Sequence, residues 1–289
     1  MRVLNVGGIP TSLGEIINFK YHLDLIKREY DQIVLSFQRS LLKEGLYVDN
    51  PDWAEREKLW EKYLIDLGQL FFSEPPYVLE QVSEKFCGDM NGLIDKINIR
   101  PQKAELGHLL CKGTSLNIGE YIVITTKIRD INRTTFDAMA PNFWSVLQKL
   151  ANKYKIVILG ERKVETRKEY NVEHKRSGRP IPFGIYEDII QYIPKDKLED
   201  RTVAALGETV SDLTQIQQDC LIMKEAKFVI TIGIGGNFCL ATASANMVIG
   251  YRADNISFAD GIFNYKEYPN AIVTKSSNRF LNALNQYTK

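Results

Sequence analysis

Twenty-four consecutive residues, Phe228 to Tyr251, carry no charged side chain. A helix of about 20 apolar residues is enough to cross a bilayer. This run, however, is broken near its start by Gly233, Gly235, Gly236 and Asn237, and Thr231, Thr242, Ser244 and Asn246 add polar groups. Each glycine costs a helix interior about 1 kcal/mol. The better reading is a buried strand over 227–233, a glycine turn, a buried helix over 237–245 and a short strand over 246–251. That pattern commits the chain to a layered α/β fold.

The same alternation runs through both ends of the sequence. RVLNVGG (2–8) is an apolar run without alternation, as a parallel strand covered on both faces requires. A helix follows over 15–30, with Ile16, Phe19, Leu23 and Ile26 at helical spacing, and then a strand over 31–37. Two parallel strands joined by a helix make a right-handed crossover unit. In the second half, strands are predicted over 121–126, 155–160 and 202–207, and helices over 143–154, 185–193, 212–226 and 278–289. Between the halves, 53–72 and 75–98 read as helices and 112–120 as a polar linker. At 289 residues the chain has room for two domains of about 150 residues each. The expected fold class is α/β, with two Rossmann-like doubly wound domains facing a cleft. The domains are expected at 1–115 and 116–275, with a terminal helix in 276–289 packing back on the N-terminal one. Sites in such folds lie beyond the carboxyl ends of the strands.

Composition excludes some functions. Lys+Arg is 37 and Asp+Glu is 36, a net charge of +1, so nucleic acid is not an expected partner. Cys87, Cys111, Cys220 and Cys239 are far apart, and His22, His108 and His174 do not complete a metal set with them. No metal is expected. Reduced thiols point to a cytoplasmic protein, and MRVLNVGGIP is too short an apolar run to be a signal peptide.

The strongest chemical feature is Gly233-Ile234-Gly235-Gly236-Asn237, between a strand and a helix. Glycine lets a ligand approach the backbone, and the free N–H groups of a helix start bind anions. Gly235, Gly236 and Asn237 are therefore candidate phosphate contacts; tight strand–helix packing is the plainer alternative. The segment lacks the Gly-Lys-Ser/Thr of a P-loop and does not match the dinucleotide fingerprint. After the 121–126 strand comes TKIRDINRTT, where Lys127, Arg129 and Arg133 could neutralise a diphosphate or simply be a solvated loop. Gly160 and Glu161 end the next strand and lead into a basic stretch that either closes over a nucleotide or is a solvated face. Gly207, Glu208 and Thr209 can meet a nucleobase, although Thr209 or Ser211 as a cap for the 212–226 helix is the first expectation. In the first loop, Gly8, Thr11, Ser12 and Gly14 precede or flank Glu15, a carboxylate at a helix start. It is kept ionised there by the dipole, as a general base must be, and equally it is a common helix-start device.

Val6-Gly7-Gly8, Leu13-Gly14-Glu15-Ile16 and Tyr30-Asp31-Gln32-Ile33-Val34-Leu35 resemble the opening of the bacterial heptosyltransferase-type glycosyltransferases. Ile124-Thr125-Thr126-Lys127, Lys155 to Gly160, Asp212-Leu213, Lys224 to Thr231, the glycine-rich turn and Leu240-Ala241-Thr242-Ala243 follow in the order of a GT-B nucleotide-sugar domain. The resemblance covers about 1–37 and 121–251. It implies a GT-B enzyme with an acceptor-side N-terminal domain carrying the Gly8, Thr11, Ser12 and Gly14 loop. It also implies Glu15 in the place of the family's base and Lys127 in that of the donor-phosphate cation. It implies a metal-independent, inverting sugar transfer from a nucleotide-sugar donor to a glycan or glycolipid acceptor, with no cofactor besides the donor substrate. The family acts in polysaccharide and lipopolysaccharide synthesis on the cytoplasmic side, with peripheral contact at the inner membrane. The aromatic residues Trp60, Phe71, Phe72 and Tyr77 are then open to lipid or acceptor contact, with core packing as the favoured role. The family's turn reads Asp-Ser-Gly-Pro-x-His; here it is Gly233-Ile234-Gly235-Gly236-Asn237-Phe238, which keeps the backbone role and loses the side chains, and argues against ADP-heptose as donor. Two other readings stay open on the same scaffold: a nucleotide-sugar 2-epimerase-like enzyme and a non-catalytic nucleotide- or glycan-binding protein.

Overall fold

The computed structural model describes residues 1–8, 13–37, 62–63, 65–81, 119–126, 133–160, 185–202, 214–233, 235–252 and 269–289. A first sheet holds β1 (Val3–Gly8), β2 (Gln32–Phe37) and β3 (Tyr77–Gln81), parallel and in that order. The helix α1 (Leu13–Ile26) connects β1 to β2, as the crossover pattern predicts. β3 overturns the start of the helix expected over 75–98, of which 82–98 lies outside the described residues: it pairs with β2 from Ile33↔Tyr77 to Phe37↔Gln81. The cause is tertiary. As a strand, the segment lays the Tyr77 ring edge-on against Phe72 at 5.1 Å, inside a shared core. Residues 65–72 are helical as predicted, and Phe71, Phe72 and Tyr77 are buried, so these three serve packing. Trp60 lies outside the described residues.

The second sheet has six parallel strands: β4 (Tyr121–Thr126), β5 (Lys155–Gly160), β6 (Leu198–Asp200), β7 (Val229–Ile232), β8 (Val248–Tyr251) and β9 (Ala271–Thr274). Their order is β6-β5-β4-β7-β8-β9. From β4 the chain steps outward to β5 and β6, then returns and steps the other way to β7, β8 and β9. This is the strand order of a doubly wound nucleotide fold, with its reversal between β4 and β7. Right-handed crossovers that travel in opposite directions leave their helices on opposite faces. Accordingly, α2 (Arg133–Lys153) and α3 (Tyr186–Tyr192) cover one face, and α4 (Gln215–Glu225) and α5 (Gly236–Ser244) the other. Strand residues alternate between them: Ile122, Ile124, Ile156 and Ile158 join the α2 side, and Val123, Val157 and Leu159 the α5 side.

The 24-residue uncharged segment thus becomes the centre of this sheet: β7, α5 and β8. Among the described residues no helix is long and apolar enough to cross a membrane. Asn270 closes the far end of α5, donating from Nδ2 to the carbonyls of Thr242 (3.0 Å) and Ala245 (2.8 Å), which a helix end cannot satisfy by itself.

Several boundaries differ from expectation. α2 begins at Arg133, ten residues early, and continues through Pro141. Phe136, Met139, Phe143, Leu147 and Leu150 fall on one buried face, and that burial outweighs the turn-like composition at its start. Arg133 therefore belongs to a helix and not to the loop assigned to it. After β5 the next described strand is Leu198–Asp200; Thr202 lies beyond its end, and 203–207, the rest of the expected strand, lies outside the described residues. α4 is capped by Thr214, whose N–H and hydroxyl both donate to Gln217 Oε1, so neither Thr209 nor Ser211 is its cap. The terminal helix, α6 (Ser277–Asn285), packs on α2, β8 and β9, where Phe280 stacks 5.9 Å from Phe143. Its described packing is on the second sheet, where its apolar side (Phe280, Leu281, Leu284) completes the α2-side core.

The two sheets share the other core. Leu13, Ile16, Ile17, Phe19 and Leu67 from the first unit form one buried cluster with Ile216, Cys220, Phe238 and Leu240 from the second. α1 lies directly against α5.

Candidate functional site

At the strand reversal the carboxyl ends of β4 and β7 lie side by side, paired as far as Thr125↔Thr231. Adjacent crossovers leave there to opposite faces, so a crevice opens between them. Thr126 ends β4, Gly160 ends β5 and Gly233 follows β7. Gly233 has φ +97°, a left-handed conformation that glycine adopts freely. Gly235, Gly236 and Asn237, the start of α5, are half-buried, so their backbone is not sealed in the core.

Three pieces of chain are locked together at this point. Asn237 Nδ2 donates to the Thr126 carbonyl at 2.9 Å, across 111 positions of sequence. The Thr126 hydroxyl donates to the Leu159 carbonyl at 3.1 Å. Gly160 has φ +100°, and a Cβ there would stand 2.4 Å from the Thr126 oxygen and 2.9 Å from Asn237 Nδ2. Only glycine fits.

The first unit closes the other side. A Cβ on Gly236 would meet Leu13 Cβ at 2.8 Å and Gly14 N at 3.2 Å. The starts of α1 and α5 therefore abut, and each presents the positive end of its dipole to the same region. Gly8 ends β1, Gly14 is buried in the first turn of α1, and the backbone of Glu15 follows it in that turn.

The structure thus gathers Gly14, Gly160, Gly235, Gly236 and Asn237, with Glu15 next in the chain. Thr11, Ser12, Lys127, Arg129, Glu161, Gly207, Glu208 and Thr209 lie outside the described residues, and of Arg133 only the backbone position is described. Asn237, expected as a phosphate contact, has its carboxamide N–H on a main-chain carbonyl. Among the described residues, no three His, Cys, Asp or Glu side chains gather as a metal-ligand set.

One polar contact between the units escaped sequence reasoning. Asp219 of α4 is buried and accepts from Tyr63 Oη at 2.8 Å and from Gln215 Nε2 at 2.6 Å. Burial pushes its carboxyl up to about 7, against the pull of the Tyr63 and Gln215 hydrogen bonds. Burial and the neighbouring Asp219 charge also raise the Tyr63 phenol. An acid immediately before the apolar run Cys220-Leu221-Ile222-Met223 is the signal the sequence offers.

No family model matches the sequence, and no curated protein matches it. Among solved structures, the chain is similar to E. coli ADP-heptose LPS heptosyltransferase II at 13% identity, with a TM-score of 0.50 over 100% of this chain and 98% of that one. It also aligns with E. coli heptosyltransferase WaaC bound to ADP-2-deoxy-2-fluoro heptose at 12% identity, with a TM-score of 0.44 over 99% and 98%. The first likeness establishes the fold: two Rossmann-like units in the GT-B arrangement.

Proposed function

We propose that this chain is a glycosyltransferase that moves a sugar from a nucleotide-sugar donor to a hydroxyl of a glycan or glycolipid. The observation that carries the reading is the reversal of strand order between β4 and β7, beside which lies the half-buried start of α5, whose first N–H groups have no partner within the helix. Such groups bind phosphate, and the helix dipole favours it. A fold shared with a heptosyltransferase supports the same reading.

In this proposal residues 116–275 hold the donor and residues 1–115 the acceptor. Glu15 takes the proton of the acceptor hydroxyl as its oxygen attacks the anomeric carbon. The bond from that carbon to the diphosphate breaks in the same displacement, inverting the centre. Negative charge grows on the departing diphosphate, where the amides at 235–237 and Lys127, Arg129 and Arg133 stabilise it without a metal. Gly160, Glu161, Gly207, Glu208 and Thr209 border the nucleoside, and Gly8, Thr11, Ser12 and Gly14 the acceptor. The enzyme works in the cytoplasm at the membrane surface that carries its acceptor. The turn Gly233 to Phe238 supports a donor other than ADP-heptose.

The test is a thermal-shift panel of UDP, GDP, ADP, CMP and dTDP. A nucleotide at 100 times its Kd adds about 2.7 kcal/mol to stability, a shift of several degrees. If all five leave the melting temperature unchanged, the donor site is not where we put it. With a donor in hand, Glu15→Gln is expected to lower transfer by about 10² to 10⁴ while binding persists. Nucleotide binding with no transfer by the wild type would favour the non-catalytic reading.

A further inference from the structure

The described contact between the two units combines an apolar cluster, with Leu13, Ile16, Phe238 and Leu240 among its members, and a buried polar bond. Tyr63 Oη donates to Asp219 Oδ2 at 2.8 Å, and Gln215 Nε2 donates to Oδ1 at 2.6 Å, so each carboxyl oxygen has a donor. Asp219 is 3% exposed and Tyr63 4%. Both donors are neutral, and neutral donors alone compensate a buried charge poorly. The titratable groups around the pair are few. Cys220, next to Asp219 in α4, acts on the Tyr63 phenol. From the sheet beneath, the Tyr121 hydroxyl donates to the Ile222 carbonyl of α4. α5, packed against α4, carries the buried Cys239 thiol. On the Tyr63 side Lys62 pairs with Asp66, and in α1 Lys20 pairs with Asp24, which bonds Tyr77. Lys224 and Glu225, at the far end of α4, are exposed.

We infer that the Tyr63–Asp219 bond is a proton-operated latch between the two units: with the carboxyl neutral the 65–72 helix stays docked on α4, and with the carboxyl ionised the two part more readily. Parting them lets water reach the carboxyl, and a hydrated carboxylate is far more stable than a buried one. Ionisation and opening therefore favour each other. Protonated, the acid keeps the bond by donating to the Tyr63 oxygen. Burial pushes the Asp219 carboxyl from 3.8 up to about 7, against the hydrogen bonds from Tyr63 and Gln215. The latch is therefore at full strength below 3.8, weakens as pH rises from there to about 7, and changes no further above it. The inference concerns docking and holds whether or not the chain transfers sugar.

The test is hydrogen exchange in the full-length protein from about pH 5 to 8, corrected for the intrinsic rate of an open amide. A helix as short as 65–72 is marginal once undocked, so its amides report the latch. In the wild type they are expected to open about tenfold more readily per pH unit up to about 7 and then to level off. Amides of 121–126 and 227–232, in the second sheet, are expected to hold steady. Asp219→Asn keeps the shape without a titrating group and is expected to abolish the pH dependence. Tyr63→Phe removes a donor to the ionised form, so its opening is expected to keep rising past about 7. A wild-type profile without pH dependence overturns the latch, as does one that Asp219→Asn leaves in place. A Tyr63→Phe profile that levels off with the wild type removes Tyr63 and overturns it as a bond between the units. Loss of protection in 121–126 and 227–232 in step with 65–72 also overturns it, because the carboxyl then acts on the whole fold.

Discussion

In the second sheet, β4, β7 and β8 are buried along their whole length, and charge appears only toward the edge, where Lys155 and Arg201 flank Glu199 beside β6. In the first sheet, β1 leaves Val3 45% exposed, and a charged network sits among its core residues. There Asp24 accepts from Lys20 (2.9 Å), Lys27 (3.0 Å) and Tyr77 (2.8 Å), and the Lys20 ammonium lies 4.5 Å from the Tyr77 ring centroid. Burial lowers the Lys20 amine, only partly offset by Asp24, whereas these donors hold the Asp24 carboxyl below its usual range despite its burial. The contrast teaches how one building block meets two demands. The second unit is a rigid apolar platform that can hold strand ends in fixed positions. The first is held partly by ion pairing and partly by docking α1 onto that platform.

The sharpest way to break the contrast is to hollow the platform. Phe143→Ala removes a fully buried ring packed on Phe136, Trp144 and Phe280. It is expected to cost about 3–5 kcal/mol in urea unfolding. A loss below about 1 kcal/mol would mean that the α2 side is not one core.

The junction between the units comes next. Below its unfolded value of 3.8 Asp219 is protonated whether the chain is folded or not, and the fold keeps its full stability. As pH rises from there through about 7, the unfolded chain releases the proton first, so stability falls across that window. Asp219→Asn keeps the shape and removes the buried charge. It is expected to stabilise the chain by about 2 kcal/mol at pH 8 and hardly at all near pH 4, flattening the pH profile. An unchanged profile would remove Asp219 from the account.

The smallest effect belongs to the first unit. Asp24→Asn leaves the buried Lys20 ammonium without its carboxylate, though Asp24 is partly solvated. The expected loss is about 1–2 kcal/mol, read as a lower melting temperature that added salt does not restore. If the variant matches the wild type, the first unit does not depend on this network.

How much of this was legible varies by element. α5 and β8 match the sequence reading within two residues, since a long uncharged run cut by glycines has one economical packing. β3 was misread, because Tyr77-Val78-Leu79 is short enough to suit either period until β2 lies beside it. The start of α2 was misread because Arg133-Thr134-Thr135 and Pro141 signal a turn locally, and only the burial of Phe136 and Met139 overrides them. The sequence singles out the glycines of the site as ligand contacts, with tight packing as the alternative for the 233–237 turn; Gly160 and Gly236 are required by neighbouring backbone and side chains.

The sequence by itself determined the α/β alternation, the buried character of the central strands and the glycine turn that opens α5, because burial and turn chemistry are written in local periodicity. Only the tertiary structure decided that the strand order reverses between β4 and β7, that Asn237 bonds the carbonyl of Thr126, that α1 rests on Gly236 and that Tyr63 reaches Asp219. Those partners are far apart along the chain, and periodicity specifies that a face is buried without specifying what will cover it.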